Sequence, residues 1–144
     1  MASRSAEATW TGTLKEGQGN LKLASDAFDG PFSFSTRFED GVTGTNPEEM
    51  IAAALAGCFT MQIGATMERN GTPVTRLHTT ANLKMERVNE KLTITRIELV
   101  TEGEIPGVDE AKYLEVVKEA EQDCIITRAL GGVEIVVTSA TLKS

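Results

Sequence analysis

The stretch from Asn46 to Asn70 restricts most strongly what this chain can become. From Met50 to Met67 it carries eighteen residues without a charge, and Ala, Leu, Ile, Met and Phe recur at every angle of a helical wheel. Its ends are marked. Asn46 is a capping residue, Pro47 suits a first helical turn, Glu48 and Glu49 sit where the helix dipole favours anions, and Asn70-Gly71 is a stop signal. A helix apolar on all sides must be covered on all sides. The length also fits a membrane span. However, Gly57, Thr60, Gln62, Gly64 and Thr66 dilute the hydrophobicity, no polybasic flank follows, and the rest of the chain alternates like soluble sheet. The segment therefore reads as the central helix of a soluble protein with no membrane partner.

The flanking sequence supplies sheets. Glu7–Leu14, Gly19–Ala24 and Pro31–Phe38 read as three strands of an antiparallel meander, with Phe32 and Phe34 on one face of the third and Ser33, Ser35 and Arg37 on the other. After Gly71, Leu77, Thr79, Ala81, Leu83 and Met85 share one face of a half-exposed strand, and His78 projects from the other face beside Arg76 and Lys84. Asn89-Glu90 turns it. In the partner strand Leu92 and Ile94 are apolar at even positions but Ile97 and Leu99 at odd ones, so a bulge is expected near Thr95-Arg96. Asp109 caps a second helix whose apolar face runs Tyr113, Val117, Ala120, Cys124. A short helical piece to Leu130 and a last strand, Val133–Thr141, follow. The order predicts a single α+β domain over residues 1–144. One chain's sheet covers only one side of the central helix, and a second copy is the simplest cover for the remainder, which predicts a homodimer.

Composition excludes several function classes. A net charge of −7 and few aromatics argue against nucleic acid as a partner. One histidine and two cysteines 66 positions apart leave a zinc site without ligands, and nothing in the sequence calls for a cofactor. Met1–Glu7 has no apolar run, so no targeting peptide is expected and the cytoplasm is the expected location. Gly17-Gln18-Gly19 lacks the strand-to-helix context of a phosphate loop.

Cys58 and Cys124 each lie on the apolar part of one of the two long helices. Either is ordinary as a small buried hydrophobe. Together, on helices that pack, they suit a redox cycle in which one thiolate is oxidised and the other thiol closes a disulfide. Cys58 is mid-helix, and burial raises a thiol pKa, so its thiolate needs a cation. Arg37 is the candidate, oriented by Glu48 or Glu49 at the helix start.

Thr45-Asn46-Pro47-Glu48-Glu49-Met50-Ile51-Ala52-Ala53-Ala54, followed by Ala56-Gly57-Cys58-Phe59, resembles the signature helix of the OsmC/Ohr family of thiol-dependent hydroperoxide reductases. Ser35-Thr36-Arg37-Phe38-Glu39 before Gly44-Thr45-Asn46-Pro47-Glu48 resembles the OsmC branch, and Cys124–Leu130 resembles the second-cysteine segment. The resemblance implies antiparallel sheets wrapped around two long central helices in an intertwined homodimer, with active sites at the subunit interface. It implies Cys58 as the peroxide-attacking cysteine, Cys124 as the resolving one, Arg37 as the activating cation and Glu48 as its carboxylate. Substrates would be organic hydroperoxides, and a dithiol such as a lipoylated protein would be the reductant. One departure stands out. Where the family commonly has Cys-Pro-Val-Ser, this chain has Cys124-Ile125-Ile126-Thr127 after Asp123. The missing proline and the adjacent carboxylate predict a raised Cys124 pKa and slower disulfide closure. Met50, Leu55, Phe59 and Met61 offer apolar walls for a bulky substrate. The rival reading is a dimer that binds a fatty acyl chain without turnover, and such a binder has no use for Arg37, Glu48 and both cysteines together.

Overall fold

The computed structural model describes residues 2–143; Met1 and Ser144, the two ends of the expected single domain, lie outside the described residues. The order is α+β, with two three-stranded sheets. By contacts the chain groups into two compact units, Met1–Met50 and Ile51–Ser144.

In the first unit, β1 (Ala6–Thr11), β2 (Gln18–Leu23) and β3 (Asp29–Phe32) form the expected antiparallel meander. The third strand is shorter than its alternation suggests. After Phe32 the chain enters a short helix, α1 (Phe34–Phe38), so Arg37 stands on a helix and not at a strand end. The physical reason is a capping box. Ser33 Oγ accepts from Thr36 N–H at 3.2 Å, and Thr36 Oγ1 accepts from Ser33 N–H at 2.8 Å. Phe32 and Phe34 alternate, but Phe34 and Phe38 are four apart and their rings meet at 4.9 Å, which is helical spacing. The capping box decides between the two periods.

The long helix α2 (Pro47–Arg69) begins as its sequence indicates. Asn46 Oδ1 accepts from Glu49 N–H at 2.7 Å, and its amide donates to the Thr36 carbonyl at 2.9 Å.

In the second unit, β4 (Arg76–Val88), β5 (Lys91–Glu104) and β6 (Glu134–Lys143) form one sheet in that order. The β4–β5 hairpin shifts register between Lys84 and Met85, opposite Arg96 and Ile94, which leaves Thr95 as the bulged residue. β6 runs parallel to β5, so this sheet is mixed and not antiparallel throughout. The connection explains it: α3 (Glu110–Asp123) and α4 (Ile125–Ala129) carry the chain back along the sheet before β6 starts. Asp109 caps α3, accepting from Lys112 N–H at 2.8 Å.

The core belongs to this unit. Leu55, Phe59, Ile63 and Met67, one helical turn apart, have no exposed surface, and they join Ile97, Leu99, Tyr113, Val116, Val117, Ala120 and Cys124. The hydroxyls of Thr60, Thr79 and Thr101 link α2 to β4 and β5 at 2.8 and 2.9 Å, which fixes the height of the helix over the sheet. By length and composition α2 is apolar enough to cross a membrane, but its buried stripe is that of a core helix. All-round burial is not reached within one chain. Ala53, Ala54, Gly57, Met61 and Ala65 are exposed, Met61 by 77%.

The β4–β5 turn carries two residues at positive φ, Asn89 at 50° and Glu90 at 65°. Such a turn favours glycine at its second position. Glu90→Gly should raise stability by about 1 kcal/mol, because the left-handed cost falls on an exposed side chain that packs nothing. A higher urea midpoint at unchanged m-value is the expected result.

Candidate active site

Each unit holds one pair of the candidate side chains. In the second unit, Cys58 lies midway along α2, half-buried, and Cys124 lies between α3 and α4 with no exposed surface. Both are free thiols. They are near enough that each perturbs the titration of the other. Both cysteines pack in one apolar cluster, Cys124 within it and Cys58 against it.

The thiols are not equivalent. Burial pushes Cys58 up, the neighbouring Cys124 adds to the rise, and the backbone N–H groups of Ile126 and Ile125 offset only part of it. Burial also acts upward on Cys124. There it is outweighed by the Cys58 thiol, the Thr127 N–H, the Thr127 hydroxyl and the Ile126 N–H, and the net direction is down. The pair is coupled, and the two thiols are pushed in opposite directions, Cys58 up and Cys124 down.

This reverses the expectation from sequence, and the local fold gives the reason. α3 ends at Asp123, and Cys124 takes an extended backbone (φ −56°, ψ 129°) as the residue before α4. The free N–H groups that open α4 then favour the sulfur as an anion. Asp123 is exposed and is not among the groups acting on that sulfur. Ile125, standing where the family has proline, keeps an N–H that proline lacks, and that N–H favours the Cys58 thiolate.

Thr127 is the residue that sequence reasoning missed. Its Oγ1 is buried and has no hydrogen-bond partner among the described residues. A buried hydroxyl without a partner is costly, and this one acts to lower the pKa of the Cys124 thiol. The signal in the sequence was a hydroxyl three residues after a cap position, the spacing at which a side chain reaches back over a helix start.

In the first unit, Arg37 on α1 meets Glu48 on the first turn of α2. Arg37 Nε donates to Glu48 Oε1 at 3.1 Å and Oε2 at 3.2 Å, and Nη2 donates to Oε1. Glu48 is only 8% exposed, so this guanidinium is its counter-charge. The hydrogen bond raises the Arg37 pKa against partial desolvation, keeping the cation protonated. Within one chain Arg37 meets Glu48 and not Glu49, which instead accepts from Thr45 Oγ1 at 2.9 Å. His78 is exposed on β4, as expected. Of the four expected apolar walls, Met50 is half-buried. Leu55 and Phe59 face inward on the stripe that packs the core, and Met61 points to solvent.

A family model described as OsmC-like protein matches residues 39–139. Peroxiredoxin OsmC of Escherichia coli (strain K12) is 34% identical over 128 residues, covering 88% of this chain and 89% of that protein. Among solved structures, an OsmC-like protein of unknown function from Vibrio cholerae superposes with a TM-score of 0.78 at 17% identity, covering 96% of this chain and 99% of its own. The organic hydroperoxide resistance protein OhrB of Bacillus subtilis superposes with a TM-score of 0.69 at 23% identity, covering 96% and 98%. At these identities the solved structures speak for the fold.

Two substitutions separate the influences on the thiols. Thr127→Val should raise the Cys124 pKa, moving its alkylation by iodoacetamide to higher pH, and Thr127→Ser should restore it. Ile125→Pro, tolerated at a first helical position, should raise the Cys58 pKa. Peptide mapping of alkylation rate against pH checks both, and an unmoved Cys124 profile in Thr127→Val would dismiss the hydroxyl.

Proposed function

Because this chain belongs to the OsmC-like family, we propose that it is a thiol peroxidase that reduces organic hydroperoxides to alcohols. The observation that carries this reading is the pair of free, mutually interacting thiols, Cys58 and Cys124, in one buried environment. The names borne by relatives, a peroxiredoxin and an organic hydroperoxide resistance protein, agree with it.

The Cys58 thiolate attacks one peroxide oxygen. An S–O bond forms, the O–O bond breaks, and the second oxygen leaves as an alkoxide that takes a proton to become the alcohol. Cys58 is then a sulfenic acid. Cys124 attacks the oxidised sulfur as thiolate; the S–S bond forms and the hydroxyl leaves, protonated, as water. An external dithiol, such as a lipoylated protein, reduces the disulfide and is itself oxidised. The lowered Cys124 pKa suits the second step, in which that sulfur attacks as thiolate.

Cys58 is pushed the wrong way for the first step. The reading assigns its missing cation to Arg37, held in orientation by Glu48. A guanidinium stabilises both the thiolate and the charge that develops on the leaving oxygen. The working form is a homodimer. Its support is the exposed stripe of Ala53, Ala54, Gly57, Met61 and Ala65 on α2, whose small side chains suit the close approach of a second helix. A position in the cytoplasm as a single-domain protein fits the same reading.

In a cumene hydroperoxide assay with a dithiol, Cys58→Ser should lose turnover, and Arg37→Ala should lose about 10²- to 10³-fold in kcat/KM, the size expected for one lost transition-state donor. A stoichiometric dose of hydroperoxide should remove two hydrogens from the wild type, mapped to a Cys58–Cys124 bond. Undiminished turnover in Cys58→Ser would end the proposal.

A further inference from the structure

The interior of the second unit holds a row of hydroxyls that apolar packing does not require. Thr60 Oγ1 on α2 lies 2.7 Å from the Ala56 carbonyl and 2.8 Å from Thr79 Oγ1 on β4. Thr79 Oγ1 lies 2.9 Å from Thr101 Oγ1 on β5, and Thr101 Oγ1 lies 3.3 Å from the His78 carbonyl. Beyond Thr101, on α3, stands Tyr113. It has no exposed surface, and its hydroxyl has no hydrogen-bond partner among the described residues. Burial pushes its phenol pKa up, and the Thr101 hydroxyl offsets part of the rise, so the two groups are neighbours. Gly103 makes room for the ring. A Cβ there would come to 3.1 Å from Tyr113 Cε1 and 3.0 Å from Leu77 Cδ2, and its absence lets the ring settle on β5.

Counting protons says where the Tyr113 hydroxyl belongs. A threonine hydroxyl has one proton to donate and two lone pairs to accept with. If the Thr101 proton goes to the His78 carbonyl, Thr101 accepts from Thr79 and keeps one lone pair. If it goes to Thr79, both remain. In either direction the Thr101 oxygen has a place for the Tyr113 proton, which removes the cost of a buried phenol left without a partner. Tyr113 is then the last member of a row that crosses from α2 through β4 and β5 to α3. Each end of the row stands on a helix that carries a cysteine to its place. Thr60 is two residues after Cys58 on α2. Tyr113 shares the buried face of α3 with Val117 and Ala120, and that helix ends against Cys124.

We propose that Thr60, Thr79, Thr101 and Tyr113 are positioning residues for a Cys58–Cys124 disulfide: the row sets α2 and α3 at one register across the sheet and so holds the two sulfurs within bonding reach. A disulfide tolerates little error, because its Cβ atoms must lie about 3.5–4.5 Å apart. Slippage of a helix by a single residue is about 1.5 Å. Apolar faces slide past one another at small cost, whereas a row of directed hydrogen bonds has one register. For catalysis this rests on the peroxidase reading, in which the bond resolves a sulfenic acid; closure of the bond itself needs no peroxide.

Closure is therefore measured by equilibration with mixtures of reduced and oxidised dithiothreitol. Cys58 and Cys124 pass two hydrogens to the cyclic disulfide, an S–S bond forms between them, and the reagent leaves as its dithiol. The bonded fraction is read by mass after an acid quench. Thr79→Val and Tyr113→Phe each remove one hydroxyl and keep the shape of the side chain. Each should lower the equilibrium constant for closure by about tenfold, which is about 30 mV for a two-electron couple. Thr79→Ser, which keeps the hydroxyl, should match the wild type. Thr60→Ala, well accepted inside a helix, should shift as Thr79→Val does, and it carries the test if a core variant does not fold. A lower urea midpoint with an unmoved closure constant in Thr79→Val or Tyr113→Phe would overturn the proposal, since the hydroxyls would then serve stability alone. So would a Thr79→Ser protein that shifts like Thr79→Val, or a wild type that forms no Cys58–Cys124 bond. A wild type that closes the bond but does not turn over cumene hydroperoxide would remove the peroxidase reading and leave the positioning role standing.

Discussion

Desolvation of sulfur is the constraint on which the rest depends. The same core that gives the second unit its stability takes water away from Cys58 and Cys124, and burial is the largest influence on both. A thiol in such a place is inert unless fixed dipoles or a charge replace the lost water. The protein meets that need locally at one sulfur and not at the other. At Cys124 the neighbouring Cys58 thiol, with Thr127 and the Ile126 N–H, exceeds the desolvation cost. At Cys58, in the middle of a helix whose own N–H groups are all engaged, the Ile126 and Ile125 N–H groups do not. The asymmetry follows from where each cysteine stands in its element: one at a helix start, one a dozen residues into a helix.

Position in the fold fixes that asymmetry as firmly as chemistry does. The stripe Leu55, Phe59, Ile63 and Met67 orients α2, and the chain of hydroxyls from Thr60 to Thr79 and Thr101 sets its height. Hydrogen bonds are directional where apolar contacts are not, so the threonines choose among helix positions that packing alone would accept. Thr60 is two residues from Cys58, so the register it imposes is the register of the sulfur. A shift of α2 by one turn would move the sulfur about 5.4 Å along the helix axis and away from the start of α4.

Much of this was legible in the sequence because it was local. The Asn46 cap, the Asp109 cap, the turn at Asn89-Glu90 and the bulge at Thr95 are each written within a few residues. The apolar face of α3 through Cys124 was likewise periodic and plain. What escaped was set by choices between near-equal local signals or by distant pairing. Pro31–Phe38 satisfies a strand period and a helix period at once, and only the Ser33–Thr36 capping box separates them. The parallel pairing of β6 depends on how a crossover folds, which no local pattern states. Leu55 and Phe59 are apolar whether they line a pocket or fill a core. The Cys124 pKa went the other way because a sequence shows Asp123 next door but not that the Cys58 thiol, Thr127 and the Ile126 N–H act on the sulfur.

The stripe that α2 leaves uncovered limits what could cover it. It is made of small residues, and a Cβ placed on Gly57 would meet nothing within 4 Å. Such a surface is smooth and lets a backbone come close, but it offers no concavity to hold a small molecule. In the proposed dimer, then, the stripe of α2 is the surface suited to a second copy.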